Sequence, residues 1–229
     1  MSATPGGASP KDASDIQLAT HSITAICSAL SLAPTAAQVA ALQGYLALLQ
    51  RWNATYNLTA VRDPAAMATQ HLADCLAVLA PLRERCAQGR VLDVGSGGGL
   101  PGVVLAIMEP ALDVSCVDSV GKKAAFVRQV AGQLGLANLH AVHARVQDLK
   151  APPFDLVTSR AFASLADFTC WTAERLAPQG LWMAMKGKTP TDEIAALPLE
   201  IDMFHVEPLA VPGLDAERCL VWMRRRGAA

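Results

Sequence analysis

Apolar residues recur at two different intervals along this chain, and the change of interval divides it. Leu42, Tyr45, Leu46, Leu49 and Trp52 stand three or four apart, which lines one face of an α-helix. Thr35 precedes this stripe and Gln38 follows three residues later, the spacing of a capping box, so a helix is predicted to begin there. Residues 53–62 break the pattern. Asp63-Pro64 then opens a second helix, because a proline in the first turn forfeits no hydrogen bond, and Leu72, Cys75, Leu76 and Leu79 form its stripe. The chain reads as helical to about Arg85.

After Gly89 the interval shortens. Runs rich in β-formers at 90–94, 114–118, 139–145, 154–159 and 181–186 alternate with helical stretches at 102–108, 122–134, 165–176 and roughly 191–197. Strands alternating with helices predict an α/β fold, a doubly wound, mostly parallel sheet. Two further strands, 203–209 and 219–224, follow with a Pro212-Gly213 turn between them, giving seven in all, the last two an antiparallel pair suited to an open edge. The expected organisation is a Ser/Ala/Gly/Pro-rich tail at 1–14, too polar and small to pack, a helical cap at 15–86, and the α/β domain at 87–229.

Composition narrows this picture by exclusion. With 229 residues the chain is long enough for one α/β domain and a cap. No run approaches the roughly 20 apolar residues needed to cross a bilayer. The apolar run 23–33 follows Asp12, Asp15 and His21 instead of a basic segment, so it reads as a helix of an intracellular, cytoplasmic protein and not as a signal peptide. Cys27, Cys75, Cys86, Cys116, Cys170 and Cys219 form no CxxC pair, which predicts buried free thiols and no metal. A net charge of −1 means that a polyanionic partner would need a local basic patch.

The chemistry is concentrated in Asp93-Val94-Gly95-Ser96-Gly97-Gly98-Gly99-Leu100-Pro101-Gly102, a strand end followed by a glycine turn that opens a helix. Five glycines in eight residues let backbone N–H groups approach a ligand. Gly97, Gly99 and Gly102 match the GxGxxG spacing that reads a dinucleotide pyrophosphate, and Asp118 ends the next strand as a ribose partner would, so a nicotinamide-dependent oxidoreductase is one reading. Two residues weigh against it. Asp93 would repel a pyrophosphate, whereas it can receive an ammonium group or order the loop. Pro101 removes an N–H that a pyrophosphate would use. An acid, a glycine turn and a second acid suit S-adenosylmethionine, with Asp93 near the amino-acid end, Gly95, Gly97 and Gly99 along the backbone, and Asp118 on the ribose hydroxyls.

Three more blocks accompany the loop: Trp52-Asn53-Ala54-Thr55-Tyr56-Asn57-Leu58-Thr59-Ala60-Val61-Arg62-Asp63, Asp118-Ser119-Val120-Gly121-Lys122-Lys123, and Ser159-Arg160-Ala161-Phe162-Ala163-Ser164-Leu165. Together, from about residue 40 to the end, the chain resembles the bacterial small-subunit ribosomal RNA guanine-N7 methyltransferases, the glucose-inhibited division protein B family. The resemblance implies a Rossmann-like class I S-adenosylmethionine-dependent methyltransferase, a seven-stranded mostly parallel sheet with an N-terminal helical cap. It further implies methylation of N7 of one guanine in the decoding-region loop of 16S RNA, free or in a small-subunit precursor. A monomer is expected, as a separate reading. Cofactor contacts then fall on Gly95, Leu100, Val146, Gln147 and Arg160; the family often has an acid where this chain has Gln147.

Guanine N7 offers a ring lone pair that needs no deprotonation, so the task is orientation and exclusion of water. The fourth strand ends in Thr158-Ser159-Arg160, without the Asn-Pro-Pro-aromatic sequence that holds an exocyclic amine, and no Pro-Cys pair is present for attack on a pyrimidine. Arg160, Arg145 and His71 are the candidate catalytic residues. Arg160 stands at a strand's carboxyl end, where open α/β sheets place ligands, and its forked donors suit guanine O6, a phosphate or the cofactor carboxylate. His71 and Asp74, three apart, share a helix face and read foremost as a surface hydrogen-bonded pair. Lys122, Lys123, Arg128, Arg145, Lys186, Lys188 and the tail Arg224-Arg225-Arg226 are candidates for an RNA-facing rim. Asn53, Tyr56, Asn57 and Thr59 make a polar loop suited to RNA contact or to turn chemistry. A third reading is a non-catalytic RNA-binding protein with a vestigial loop.

Overall fold

The computed structural model describes residues 22–61 and 63–227; the tail at 1–14, the stretch 15–21 that opens the expected cap, including Asp15 and His21, and Arg62 lie outside the described residues. Helix α1 (22–29) leads into α2 (Ala36–Tyr56), whose N-terminus carries the capping box in full. Thr35 Oγ1 accepts the Gln38 N–H at 3.2 Å and Gln38 Oε1 accepts the Thr35 N–H at 2.9 Å. Asn57, left-handed at φ 51°, ends the helix. Asp63 Oδ2 then accepts the Ala66 N–H and starts α3 (Pro64–Met67), which runs through a π turn (Ala68–Ala73) into α4 (Asp74–Leu76) and α5 (Leu79–Arg85). The apolar stripe Leu72, Cys75, Leu76 and Leu79 is buried as its spacing requires. His71 and Asp74 are buried as well, so the expectation of a surface pair is corrected: the segment is enclosed on its polar side too.

The α/β part follows in alternation: β1 (Gly89–Val94), α6 (Gly102–Met108), β2 (Leu112–Asp118), α7 (Gly121–Leu134), β3 (Leu139–His143), β4 (Phe154–Arg160), α8 (Leu165–Thr172), β5 (Leu176–Lys186), α9 (Thr191–Ala195), β6 (Ile201–Pro208) and β7 (Cys219–Arg225). They form one seven-stranded sheet in the order β3-β2-β1-β4-β5-β7-β6. The first five strands are parallel to one another, and β7 is antiparallel to both β5 and β6. The terminal pair is therefore not simply added at the edge, because β7 inserts between β5 and β6. The helix expected over 165–176 stops at Thr172, and after a 3-10 turn β5 begins at Leu176, five residues early, pairing with Phe154 across a bulge.

Side chains alternate across the sheet, and the two faces bury different partners. Val91, Leu156, Met183, Leu220 and Trp222 pack under α1 to α7, while Leu92, Val157, Trp182, Val221 and Met223 pack under α8 and α9. The cap helices thus share one core with the sheet. Tyr45 on α2 donates its hydroxyl to Gly98 O at 2.6 Å, and Gln38 Nε2 reaches the last carbonyls of α6, Ile107 O and Met108 O. The strand order reverses between the parallel neighbours β1 and β4, which opens a crevice beyond their carboxyl ends. No helix among the described residues is long and apolar enough to cross a membrane.

Candidate functional site

The loop after β1 is held by its own carboxylates. Gly95, Gly97 and Gly99 take φ of 65°, 57° and 83°, the left-handed region that glycine enters without a Cβ penalty. Gly97 donates its N–H to Asp118 Oδ2 at 3.0 Å, and Asp118 Oδ1 accepts from Val120, so the acid at the end of β2 ties the two loops together. Asp93 is fully buried, and its Oδ2 accepts the Gly102 N–H at 2.8 Å, which caps α6 from within. Burial pushes its pKa up to about 7, opposed by that hydrogen bond and by the Arg160 charge. Asp93 lines neither of the two cavities at the strand ends, and of its two expected roles the structure shows the ordering of the loop. Gly99 is likewise a packing glycine: a Cβ there would meet Val103 Cγ2 at 2.4 Å. At Gly97 the nearest atom to such a Cβ is 3.9 Å away, leaving space beside the loop.

Two cavities, of about 520 and 460 Å³, open at the carboxyl ends of the strands and share Gly95 and Ala161. Ala161 is left-handed at φ 52° and follows β4 directly. That turn puts Arg160 in the wall of the first cavity and Phe162 in the wall of the second, with the Phe162 ring where a Cβ on Gly95 would stand.

The first cavity is lined by Leu49, Thr59, His71, Asp74, Gly97, Leu100, Arg160, Lys186 and Arg218 among others. Arg160 Nη1 lies 3.3 Å from Gln70 O, from His71 Nδ1 and from Asp74 Oδ2. His71 Nε2 lies 2.5 Å from Thr59 Oγ1, and the Thr59 N–H donates to Asn53 Oδ1, whose amide donates to Val61 O. Asn53 and Thr59 therefore perform turn chemistry that holds the histidine. Burial, and after it the Arg160 charge, lowers the His71 pKa to about 4, so near neutrality the ring is uncharged. Both of its nitrogens are engaged within the protein, so His71 buttresses Arg160.

The second cavity is lined by Asp118, Val120, Lys123, Arg145, Val146, Gln147, Phe162 and Trp171. A buried acid here faces apolar walls: Val120 and Trp171 are among the exposed large apolar side chains, and Phe162 meets Trp171 edge-on at 5.8 Å. Arg145 is exposed in this cavity, apart from His71 and Arg160, so the three candidate catalytic residues divide between the two.

The family model "GidB: rRNA small subunit methyltransferase G" matches residues 38–221. The chain belongs to this family. It is 59% identical over 214 residues to the Ribosomal RNA small subunit methyltransferase G of Acidovorax sp. (strain JS42), covering 89% of this chain and 94% of that protein. It is 60% identical over 201 residues to the protein of that name from Methylibium petroleiphilum, covering 87% of this chain and 91% of the other. A solved SAM-dependent methyltransferase from Aquifex aeolicus aligns at a TM-score of 0.54 and 16% identity over 78% of this chain and 97% of that one, a likeness of fold.

Among the described residues the candidate cations divide into exposed ones and ones held by other groups of the fold. Lys122, Arg128, Arg145 and Lys188 are exposed. Lys186 is bound to Glu193 at 2.8 Å and to Ala163 O, and Lys123 stands 3.8 Å from Asp118, so the expectation of free RNA-facing charge is corrected for these two. The tail arginines also serve the fold: Arg224 pairs with Asp202, Arg225 donates to Ala177 O and Leu176 O, and Arg226 donates to Leu199 O. Because β7 runs antiparallel, its end lies by the start of β5, across the sheet from both cavities. Sequence reasoning missed Arg218, which the 209–217 segment returns to the first cavity, and Trp171, whose place on α8 carries no motif. Five cysteines are buried as expected, while Cys170 is exposed.

Proposed function

We propose that this chain transfers the methyl group of S-adenosylmethionine to N7 of a guanine in the decoding-region loop of 16S ribosomal RNA. The observation that carries the reading is the meeting of two unlike cavities at Gly95 and Ala161, one with arginines and one with a buried acid among apolar walls, in a chain of this methyltransferase family. An adenosine matches the second cavity, with Asp118 toward the ribose hydroxyls and Val146 and Gln147 beside the base. The methionine half then passes Gly95, Gly97 and Leu100 into the first cavity. The cofactor supplies a methyl group on a sulfonium, an electrophile that a neutral ring nitrogen can attack.

The chain's own residues have little proton chemistry to perform. N7 keeps its lone pair at neutral pH and carries no proton to remove, so the positive charge passes from the sulfonium to the methylated ring while both His71 nitrogens stay engaged by Thr59 and Arg160. Arg160 has donors left for guanine O6, a phosphate or the cofactor carboxylate, and it orients while the cap over the cavity excludes water. Exposed Lys122, Arg128, Arg145 and Lys188 supply positive charge for an RNA backbone. The reading includes a cytoplasmic monomer acting on 16S RNA or on a small-subunit precursor.

The oxidoreductase reading is disfavoured by a specific contact: the Gly102 N–H at the start of α6 is already taken by Asp93, and a Cβ at Gly102 would meet Cys116 Sγ at 2.4 Å. Of the GxGxxG glycines, the second and third are spent on packing. The test is transfer of label from methyl-tritiated S-adenosylmethionine to 16S RNA that lacks the modification, followed by digestion to nucleosides. Label in 7-methylguanosine is expected. Label on an exocyclic amine or on protein, or stabilisation by NAD in place of S-adenosylhomocysteine, overturns the reading.

A further inference from the structure

Asp74 is the acidic side chain in the wall of the first cavity, and both of its oxygens are taken by arginines from distant parts of the chain. Its Oδ2 lies 3.3 Å from Arg160 Nη1, at the end of β4, and its Oδ1 lies 3.1 Å from Arg218 Nε, immediately before β7. The partners stand 86 and 144 positions away, so cap, parallel sheet and antiparallel return meet on one carboxylate. Asp74 is only 3% exposed, and a carboxylate so far from water is tolerated when paired on both oxygens. Each guanidinium gives one edge to Asp74 and remains about a quarter exposed, with 22% for the Arg160 side chain and 27% for that of Arg218. The two arginines and one aspartate sum to one formal positive charge, beside Lys186, whose charge is paired with Glu193. Without the carboxylate between them the guanidiniums would repel each other within one low-dielectric space.

We propose that Asp74 is a positioning residue that sets Arg160 and Arg218 as a two-armed clamp for an oxyanion of the reactants, either the carboxylate of the cofactor's methionine half or a phosphate of the RNA. Planar forked donors held at a fixed separation suit such an anion. The inference rests on the methyltransferase reading above, and the tie between cap and sheet is a consequence of the same contacts. A purely architectural ion pair would lower stability without moving ligand affinity in a folded variant.

The experiment compares wild type with D74N, R160Q, R218Q and the D74N/R160Q pair. It measures thermal stability, the Kd of S-adenosylhomocysteine by calorimetry, the Kd of unmodified 16S RNA by filter binding, and kcat and KM. D74N keeps the shape and removes the charge. It is expected to weaken one ligand by about 10-fold or more, as loss of a partner from a buried charged pair does. Weaker S-adenosylhomocysteine with unchanged RNA assigns the anion as the carboxylate, and the reverse assigns it as a phosphate. The double variant is expected to be worse than R160Q, because Arg218 also loses its partner, but to fall short of the product of the two single effects, because part of the D74N effect acts through Arg160. D74E, which restores the charge, is expected to recover part of the lost affinity. If D74N does not fold, R218Q decides, since Asp74 keeps Arg160 there: it is expected to weaken the same ligand as R160Q. Unchanged Kd values for both ligands in folded D74N, or in R218Q, overturn the clamp, and so do D74N and R160Q effects that simply multiply. Failure of the wild type to bind S-adenosylhomocysteine overturns the parent reading instead.

Discussion

Around Gly95 and Ala161 the second cavity takes its walls from the ends of β1, β2, β3 and β4 and the turns that follow them, with Lys123 added from α7 and Trp171 from α8. The first cavity recruits Leu49 from α2, Thr59 from the inter-helix loop, His71 and Asp74 from the cap, Met185 from β5 and Arg218 from before β7. One is built from the parallel sheet itself, the other from a convergence of segments far apart in the chain. The difference carries over to energetics. The second cavity has one buried acid satisfied by local backbone N–H groups, whereas the first depends on buried charges that stabilise each other only if every segment arrives. Variants in the two should therefore fail in different ways.

The largest effect is expected from Arg160→Ala. It should lower kcat/KM for methyl transfer by about 100-fold or more, since an orienting charged donor is lost, while Asp74 keeps Arg218 and the fold survives. Single-turnover kinetics with circular dichroism decides; near-normal turnover would remove Arg160 from the reacting centre. Next come the loop glycines. Gly99→Ala puts a Cβ 2.4 Å from Val103 Cγ2 at φ 83°, and urea unfolding should show a loss of about 2 kcal/mol or more. Gly97→Ala has open space at φ 57° and should lose only about 1 kcal/mol while cofactor affinity falls, because the added methyl occupies the ligand's side of the loop. Equal stability losses with unchanged affinity would refute that division.

In the second cavity Asp118→Asn should raise the Kd of S-adenosylhomocysteine by about 10-fold, by weakening charge-assisted hydrogen bonds, and leave kcat within about two-fold, since Asp118 lines the second cavity and Arg160 the first. A fall in kcat at saturating cofactor would break the separation of the cavities. The smallest effect concerns pH. The folded His71 pKa of about 4 lies below the usual value of 6.5, so between these values the unfolded chain binds the proton that the folded one does not. His71 thus contributes a loss of stability as pH falls from about 6.5 toward 4 and none above it. His71→Gln should shrink that part of the acid-side decline in denaturation curves. An unaltered slope would mean that the ring is not held neutral.

Asp118, the glycine turn and the end of β3 were legible in the sequence because each lies at a strand end whose place in a doubly wound sheet follows from the order of the elements. Arg160 was legible for the same reason. The partners of Arg160 were not, since helical spacing left His71 and Asp74 on a surface, and only the packing of the cap against β4 and the 209–217 segment encloses them. Lys186 and the tail arginines misled because counting cations ignores where β7 points and what α9 carries; Glu193 occupies the first, and carbonyls beside the sheet's far end occupy the others. Asp93 was given two roles, on a ligand or within the loop, because its position was known and its direction was not; its Oδ2 turns onto Gly102.

By itself the sequence determined the capped α2, the alternation of strands and helices, the turn of left-handed glycines and the family to which the chain belongs. The first three depend on residues close in sequence, through hydrogen bonds of a few positions' span and the period of apolar side chains, and the family on four ordered blocks. The tertiary structure alone decided the insertion of β7 between β5 and β6, the enclosure of Asp74 between two arginines and the inward turn of Asp93 onto Gly102. Those outcomes follow from which buried charges and N–H groups find one another across the fold, and desolvation makes each such pairing obligatory once the chain is compact.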